Sequence, residues 1–348
     1  MTMKLRSMVL ASLFVGVAGV AMAQDLPPLN SDEESDRIDW SALAAEFGDI
    51  PAPAEDTSIG GVSKTLTNEY WRSLGEGYEN VADQFGITIA YQAAPSEGDQ
   101  LAQLSIAENM ILQGFDALLF SPQTDNNLQP ALESATAQDI PVVNVNDAVI
   151  PSVAHYVGNV QRDNGVRVAQ WFIDNTEGGK LAVIEGQPGV FAAGQRTDGF
   201  TSTVNAAEGF DVVASVPANW SREEAYNAAT TILQQHPDLI GFYANNDGMA
   251  LGVVEAVRAA GLESQVAVFG TDGISDAYDS IRNGGLTGTV DSFPVLTGEV
   301  AMEVALRLIG GQDLPRVVAT PQALITADNV EQYSVEDTDQ LRETLLAQ

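Results

Sequence analysis

The 348-residue sequence predicts an α/β protein whose strands form two doubly wound parallel-sheet lobes. Three observations lead there. From Thr57 onward, short apolar runs alternate with longer stretches of helical period, the signature of parallel sheets covered by helices on both faces. The runs outnumber the strands that one compact doubly wound sheet needs, so they divide into two sheets. The length, less an N-terminal export signal, suits two ordinary domains or one large one.

The expected strands are Thr57–Ser63, Ile87–Tyr91, Ala117–Phe120, Val142–Val145, Leu181–Glu185, Val212–Val216, Ile240–Tyr243, Val266–Phe269, Leu286–Val290 and Ala323–Ile325. Between them, Tyr70, Leu74, Tyr78, Val81 and Phe85 recur at helical spacing and paint one face of a helix. Asp247 to Ala260 begins with a capping residue type and ends at Gly261, which best accepts the left-handed C-terminal position. Leu296 to Leu308 reads the same way.

The N-terminus has a different texture. Lys4 and Arg6 precede the apolar run Met8–Val20, followed by Ala21-Met22-Ala23. A positive start, an apolar stretch too short to span a bilayer and a small-x-small site form a secretory signal cleaved after Ala23, in preference to a buried N-terminal helix. Residues 24–56 are rich in Asp, Glu, Pro and Ala and read as an acidic mobile leader with one short helix around Trp40 to Phe47. Residues 336–348 read as an acidic tail.

Composition excludes several functions. Cysteine is absent, so disulfides and thiolate metal sites are impossible. Two distant histidines, His155 and His236, leave little for a His-rich metal site or a Ser-His-Asp arrangement. With 48 acidic and 15 basic residues the formal charge is -33, which repels nucleic acid and anionic lipid and reads as a solubility or high-salt adaptation. No metal, cofactor or nucleic-acid partner is expected, and a monomer is.

In doubly wound sheets, ligands sit beyond the carboxyl ends of the strands. The residues there are polar and aromatic: Lys64 to Trp71, Asn146 and Asp147, Arg196, Trp220, Asn245 to Asp247, Asp272, Asp291 and Ser292. Amides, carboxylates and two fixed cations supply paired donors and acceptors for hydroxyls, while flat aromatics face the C–H side of a sugar ring.

Seven short segments in one order carry a family likeness: Val62-Ser63-Lys64-Thr65-Leu66-Thr67-Asn68-Glu69-Tyr70-Trp71, Ala94-Pro95-Ser96-Glu97-Gly98-Asp99, Ile184-Glu185-Gly186, Gln195-Arg196-Thr197-Asp198-Gly199-Phe200, Pro217-Ala218-Asn219-Trp220, Ala244-Asn245-Asn246-Asp247-Gly248-Met249-Ala250-Leu251-Gly252 and Gly270-Thr271-Asp272-Gly273. From Thr57 to about Val330 the chain resembles periplasmic sugar-binding proteins of the ribose/allose-binding type, the substrate-binding partners of ABC import permeases. The resemblance implies the type I periplasmic binding protein fold, with lobes of residues 57–159 plus 293–320 and 160–292 plus 321–335. A three-segment hinge is implied near Val160, Ser292 and Thr320. It implies that Lys64 and Asn68 hydrogen-bond ligand from the first lobe, beside the stacking aromatics Tyr70 and Trp71. From the second lobe, Arg196 forks onto the ring, Trp220 forms the opposing plate, and Asn246 and Asp272 pair with hydroxyls. Lys64 is more like the hexose-binding branch. Two departures fall where hydroxyls are read: Asn146, beside Asp147, stands at a usual acid, and Ser292, beside Asp291, at a usual glutamine.

Each residue also has a plainer reading. Trp220 could anchor a surface and Tyr70 could serve its helix core. Asp247 suits a helix cap as well as a ligand contact, and Arg196 suits a helix-end ion pair. Gly186-Gln187-Pro188-Gly189 lacks the ending of a phosphate loop and reads as a turn. A Rossmann dehydrogenase would need G-x-G-x-x-G after the first strand, where Gly60-Gly61-Val62-Ser63 lies inside the strand instead. A sugar-responsive repressor would need a basic helix-turn-helix ahead of Thr57. A glycosidase would need two distinguishable catalytic carboxylates. The expected function is capture of a neutral monosaccharide or polyol for import. A sugar-acid binder and a chemoreceptor-coupled sugar binder are the alternatives.

Overall fold

The computed structural model describes residues 26–335 and 337–347; the expected signal, residues 1–23, lies outside them. A short strand β1 (Arg37–Asp39) leads through a 3-10 turn into helix α1 (Leu43–Phe47). Then follow β2 (Ser58–Ser63), α2 (Glu69–Phe85), β3 (Thr88–Ala93), α3 (Gln100–Gln113), β4 (Ala117–Phe120), α4 (Gln129–Thr136), β5 (Val142–Val145) and β6 (His155–Gly158). The middle of the chain forms α5 (Gln161–Asn175), β7 (Gly179–Glu185), α6 (Phe191–Ala206), β8 (Phe210–Pro217), α7 (Arg222–Gln235), β9 (Leu239–Ala244), α8 (Asp247–Ala260), β10 (Ala267–Asp272), α9 (Ser275–Arg282) and β11 (Gly288–Asp291). The last elements are α10 (Pro294–Ile309), β12 (Val317–Ala319), β13 (Ala323–Thr326), α11 (Val330–Tyr333) and α12 (Thr338–Leu346).

One sheet has the order β1-β12-β6-β5-β4-β2-β3 and is parallel throughout. The other has the order β13-β11-β10-β9-β7-β8, with only β13 antiparallel. The chain passes between sheets after β6, after β11 and after β12. Among the described residues, no helix is long and apolar enough to cross a membrane.

Sequence determines these elements in familiar ways. The apolar face of α2 buries Tyr70, Leu74, Tyr78 and Val81, and Asn68 caps its start by accepting from the Tyr70 amide at 3.0 Å. Central strands such as β4 are buried along their whole length, which is why they read as continuous apolar runs. Three strands escaped the sequence reading. β1, β6 and β12 span three or four residues each, and β1 carries Arg37 and Asp39. Their place is set by sheet neighbours rather than by local pattern.

The leader corrects an expectation. Read as mobile, it is instead an ordered edge: Arg37, Ile38 and Asp39 pair in register with Val317, Val318 and Ala319. Trp40 and Leu43 are buried in the core, and the Arg342 guanidinium of α12 lies 5.2 Å from the Trp40 ring. A few large apolar side chains suffice to tie down an acidic stretch.

Three helix pairs touch backbone to backbone, α7 and α8 among them, where a Cβ on Gly252 would stand 2.2 Å from the Arg222 carbonyl oxygen. A Cβ on Gly165 of α5 would stand 2.1 Å from the Arg196 carbonyl oxygen, and one on Gly199 of α6 would stand 2.1 Å from that of Arg162. Glycine at both places lets α6 press onto α5, which brings Arg196 to the sheet ends. The same device joins α2 to α10 through Gly77 and Gly298.

Candidate ligand-binding cleft

The carboxyl ends of both sheets face each other, and the side chains there form one buried polar ring. Lys64 follows β2, Asn146 and Asp147 follow β5, Asn246 follows β9 and Asp272 ends β10. Asn68, Tyr70, Trp71, Glu97, Asn146, Asp147, Arg196, Trp220, Asn246 and Asp272 close on a space of about 20 Å³, roughly the room of one water molecule. A larger opening of about 600 Å³ runs outside the ring between α2, α9 and the C-terminal helices. It lacks the convergent buried charges and indoles that mark a recognition site.

Two cations anchor the ring. Lys64 is 0% exposed; its ammonium bonds Asp147, lies 3.9 Å from Glu97, and stands between two indoles, 5.7 Å from the Trp71 ring and 5.4 Å from the Trp220 ring. Arg196 is 2% exposed and sits inside α6, so it is no helix-end ion pair. Its Nε donates to Gln161 Oε1 at 2.9 Å, its Nη1 donates to the Asn245 carbonyl at 2.6 Å and lies 3.6 Å from Asp272. Burial works against its charge, but Asp272 and Asp147 outweigh it and hold the guanidinium pKa above its ordinary value. Burial pushes the Glu97 carboxyl up to about 7, and pushes Asp272 well above the carboxylate range despite Arg196.

The aromatic walls carry unspent donors. The Trp71 and Trp220 indole N–H groups are buried without a hydrogen-bond partner, a state that buried indoles usually avoid. The Tyr70 ring is core, meeting Trp71 edge-on at 4.9 Å, and its hydroxyl accepts from the Asn146 amide. Trp220 lies flat on Gly186, where a Cβ would stand 2.1 Å from the ring. Asn146, Asp147, Asn219 and Trp220 all adopt left-handed backbone, with φ of 50°, 58°, 51° and 65°. Such strain in a tryptophan costs about 1–3 kcal/mol and concentrates at functional sites.

Several expected residues fall elsewhere. Asp291 points away from the ring: Oδ2 accepts from the Tyr278 hydroxyl at 2.7 Å and Oδ1 from the Phe293 amide at 2.6 Å. Those two donors turn it toward the outer opening. Ser292 is buried, with no well-formed partner, within reach of the Tyr70 phenol. Asp247 is neither cap nor ring member. Asn246 caps α8 by accepting from the Met249 amide, while Asp247 accepts from Gly273 and Ile274 amides and from the Thr289 hydroxyl, steadying the loop after Asp272.

Gln161, which the sequence did not single out, joins the lobes. Its Nε2 donates to Asn146 Oδ1 at 2.5 Å while its Oε1 accepts from Arg196. Its only signal was its place just past the first hinge crossing at Val160. Among the described residues no group of side chains suits a metal ion.

A cleft that gathers buried charges and indoles from two parallel-sheet lobes defines a two-lobed binding protein for small polar solutes. Residues 59–313 match the periplasmic binding protein domain, and the chain belongs to that family. It is 34% identical over 253 residues to the D-allose-binding periplasmic protein of Escherichia coli, covering 70% of this chain and 81% of the relative. It is 33% identical over 274 residues to the ribose import binding protein RbsB of Bacillus subtilis, covering 78% and 88%. An ABC transporter periplasmic solute binding protein from Actinobacillus succinogenes, solved with bound D-allose, superposes with a TM-score of 0.76 at 31% identity, covering 80% of this chain and 100% of that one.

Proposed function

We propose that this protein captures a neutral monosaccharide or polyol between its lobes and presents the closed complex to an ABC import permease. The observation that carries the reading is the ring itself: two desolvated cations, three carboxylates and two buried indole N–H groups without partners converge from both lobes. Hydroxyl groups can accept from the cations and indoles and donate to the carboxylates. Lys64 is already bonded to Asp147 and Arg196 lies 3.6 Å from Asp272, so an anionic sugar finds no unclaimed cation, and burying an unpaired charge costs several kcal/mol. The relatives named for D-allose and ribose support a neutral monosaccharide.

The action needs no bond chemistry, and the protein is not read as an enzyme. A ring of hydroxyls enters as the lobes part, and the Lys64–Asp147 and Asn146–Tyr70 contacts give way to contacts with ligand. Contacts to both lobes then favour the closed form by differential affinity. The secretory pattern of residues 1–23 supports a periplasmic site of action.

A thermal-shift and calorimetry screen tests this with D-allose, D-ribose, D-glucose, xylitol and glycerol against D-glucuronate, ribose 5-phosphate and amino acids. The expected result is a neutral ligand bound at micromolar Kd or tighter, about -8 kcal/mol or better. Stabilisation by a sugar acid or amino acid, and by no neutral sugar or polyol, would overturn it.

A further inference from the structure

The matched family domain begins at residue 59, so the ordered leader is an addition to it. Most of the leader is fastened to the first lobe. Leu29 is buried and its amide donates to the Pro151 carbonyl at 2.8 Å. Arg316, just ahead of β12, donates to the Pro27 carbonyl at 2.8 Å and to Glu34 at 3.2 Å, and β1 extends the sheet.

Asp32 alone of these anchors reaches over the first hinge crossing. Its Oδ1 accepts from the Gln161 amide at 2.9 Å and its Oδ2 from the Arg162 amide at 2.7 Å. Those are the first two amides of α5, a 15-residue helix of the second lobe whose own cap, Val160, offers no side-chain acceptor. Free amides at a helix start need acceptors and favour negative charge. A carboxylate supplies both acceptors; an amide supplies one and a methyl none.

What Asp32 holds matters because of the side chain attached. Gln161 is fully buried, and its amide donates to Asn146 and Asn159 while accepting from Arg196. Fixing the Gln161 backbone therefore fixes the one side chain seen to tie Asn146 of the first lobe to Arg196 of the second. We propose that Asp32 is a positioning residue for ligand binding, and that the leader braces the first hinge crossing by holding Gln161. The proposal rests on the reading of the cleft as the ligand site.

The test uses the full mature chain with Asp32→Ala, Asp32→Asn, Gln161→Ala and the Asp32→Ala/Gln161→Ala double variant. Two quantities are read: amide hydrogen exchange at residues 161 and 162, and calorimetric affinity for D-allose and D-ribose. Exchange should quicken at least about tenfold in Asp32→Ala and less in Asp32→Asn, which keeps the volume and one acceptor. Affinity for whichever sugar binds the wild type should fall about tenfold in Asp32→Ala, and the double variant should bind no worse than Gln161→Ala alone. Unchanged exchange overturns the brace, and a loss that simply adds to that of Gln161→Ala overturns the positioning role. If the wild type binds neither sugar, affinity is read with whichever neutral sugar or polyol of the screen binds; if none does, the ligand reading falls and exchange at Gln161 and Arg162 alone decides the brace.

Discussion

Glu69 and Ser275 meet across the mouth of the cleft, each at the first turn of its helix and each from a different lobe. Glu69 Oε1 accepts from the Ser275 amide at 2.8 Å and Oε2 accepts from its hydroxyl at 2.9 Å. Both residues are solvent-accessible, so the pair is a latch of modest strength rather than a structural pillar. Glu69→Ala is expected to speed ligand release about fivefold, near 1 kcal/mol for an exposed charged contact. Exchange of radiolabelled ligand measures the rate, and a rate equal to wild type would remove the latch.

Trp220 presses its ring on Gly186 and holds a left-handed backbone. Trp220→Ala should weaken ligand binding by about 2 kcal/mol or more while the chain stays folded, because truncation removes both stacking area and a buried donor. Calorimetric affinity matching wild type would take the indole out of the site.

Arg196 reaches Gln161, the Asn245 carbonyl and Asp272 with one planar group. Lysine keeps the charge but cannot present these donors in one plane, so Arg196→Lys should cost about 2 kcal/mol or more of affinity. Retained affinity would mean that charge alone suffices.

Asp291 brings a pH dependence to stability. Burial pushes its carboxyl up to about 8. From the ordinary carboxyl value, about 4, to that value, the folded chain keeps a proton that the unfolded chain has released, so stability falls as pH rises. Burial also raises Glu97, to about 7, and Asp247, to about 6, so the wild type carries several such slopes. Asp291→Asn should flatten the decline between about pH 5 and pH 8 by up to about 1.4 kcal/mol per unit. Urea melts at closely spaced pH check this; equal slopes in both proteins would mean that Asp291 is ionised throughout.

Much of the architecture was written locally. The spacing of Tyr70, Leu74, Tyr78, Val81 and Phe85 marked α2, and the rule that ligands gather at carboxyl ends of parallel strands located Lys64, Asn146, Asp147 and Asp272. What escaped depends on distant partners. Gln161 looks like any polar helix residue until α6 brings Arg196 to it. Asp291 looks like a cleft residue until Tyr278 and the Phe293 amide claim its oxygens. The leader is too acidic to announce burial, yet Leu29 joins one hydrophobic cluster and Trp40 and Leu43 another.

The chain has four tryptophans, and their distribution makes the molecule its own optical gauge. Trp71 and Trp220 flank the Lys64 ammonium, whereas Trp40 packs in the leader and Trp171 beside Phe269. If the cleft takes solute as proposed, its arrival between the first two would displace a cation from the faces of both rings and offer acceptors to both N–H groups. Indole emission responds to nearby charge and to hydrogen bonding, so ultraviolet excitation reads occupancy without any dye. Trp40 and Trp171 supply a constant background, and Trp171→Phe would lower that background while leaving the two reporting rings untouched.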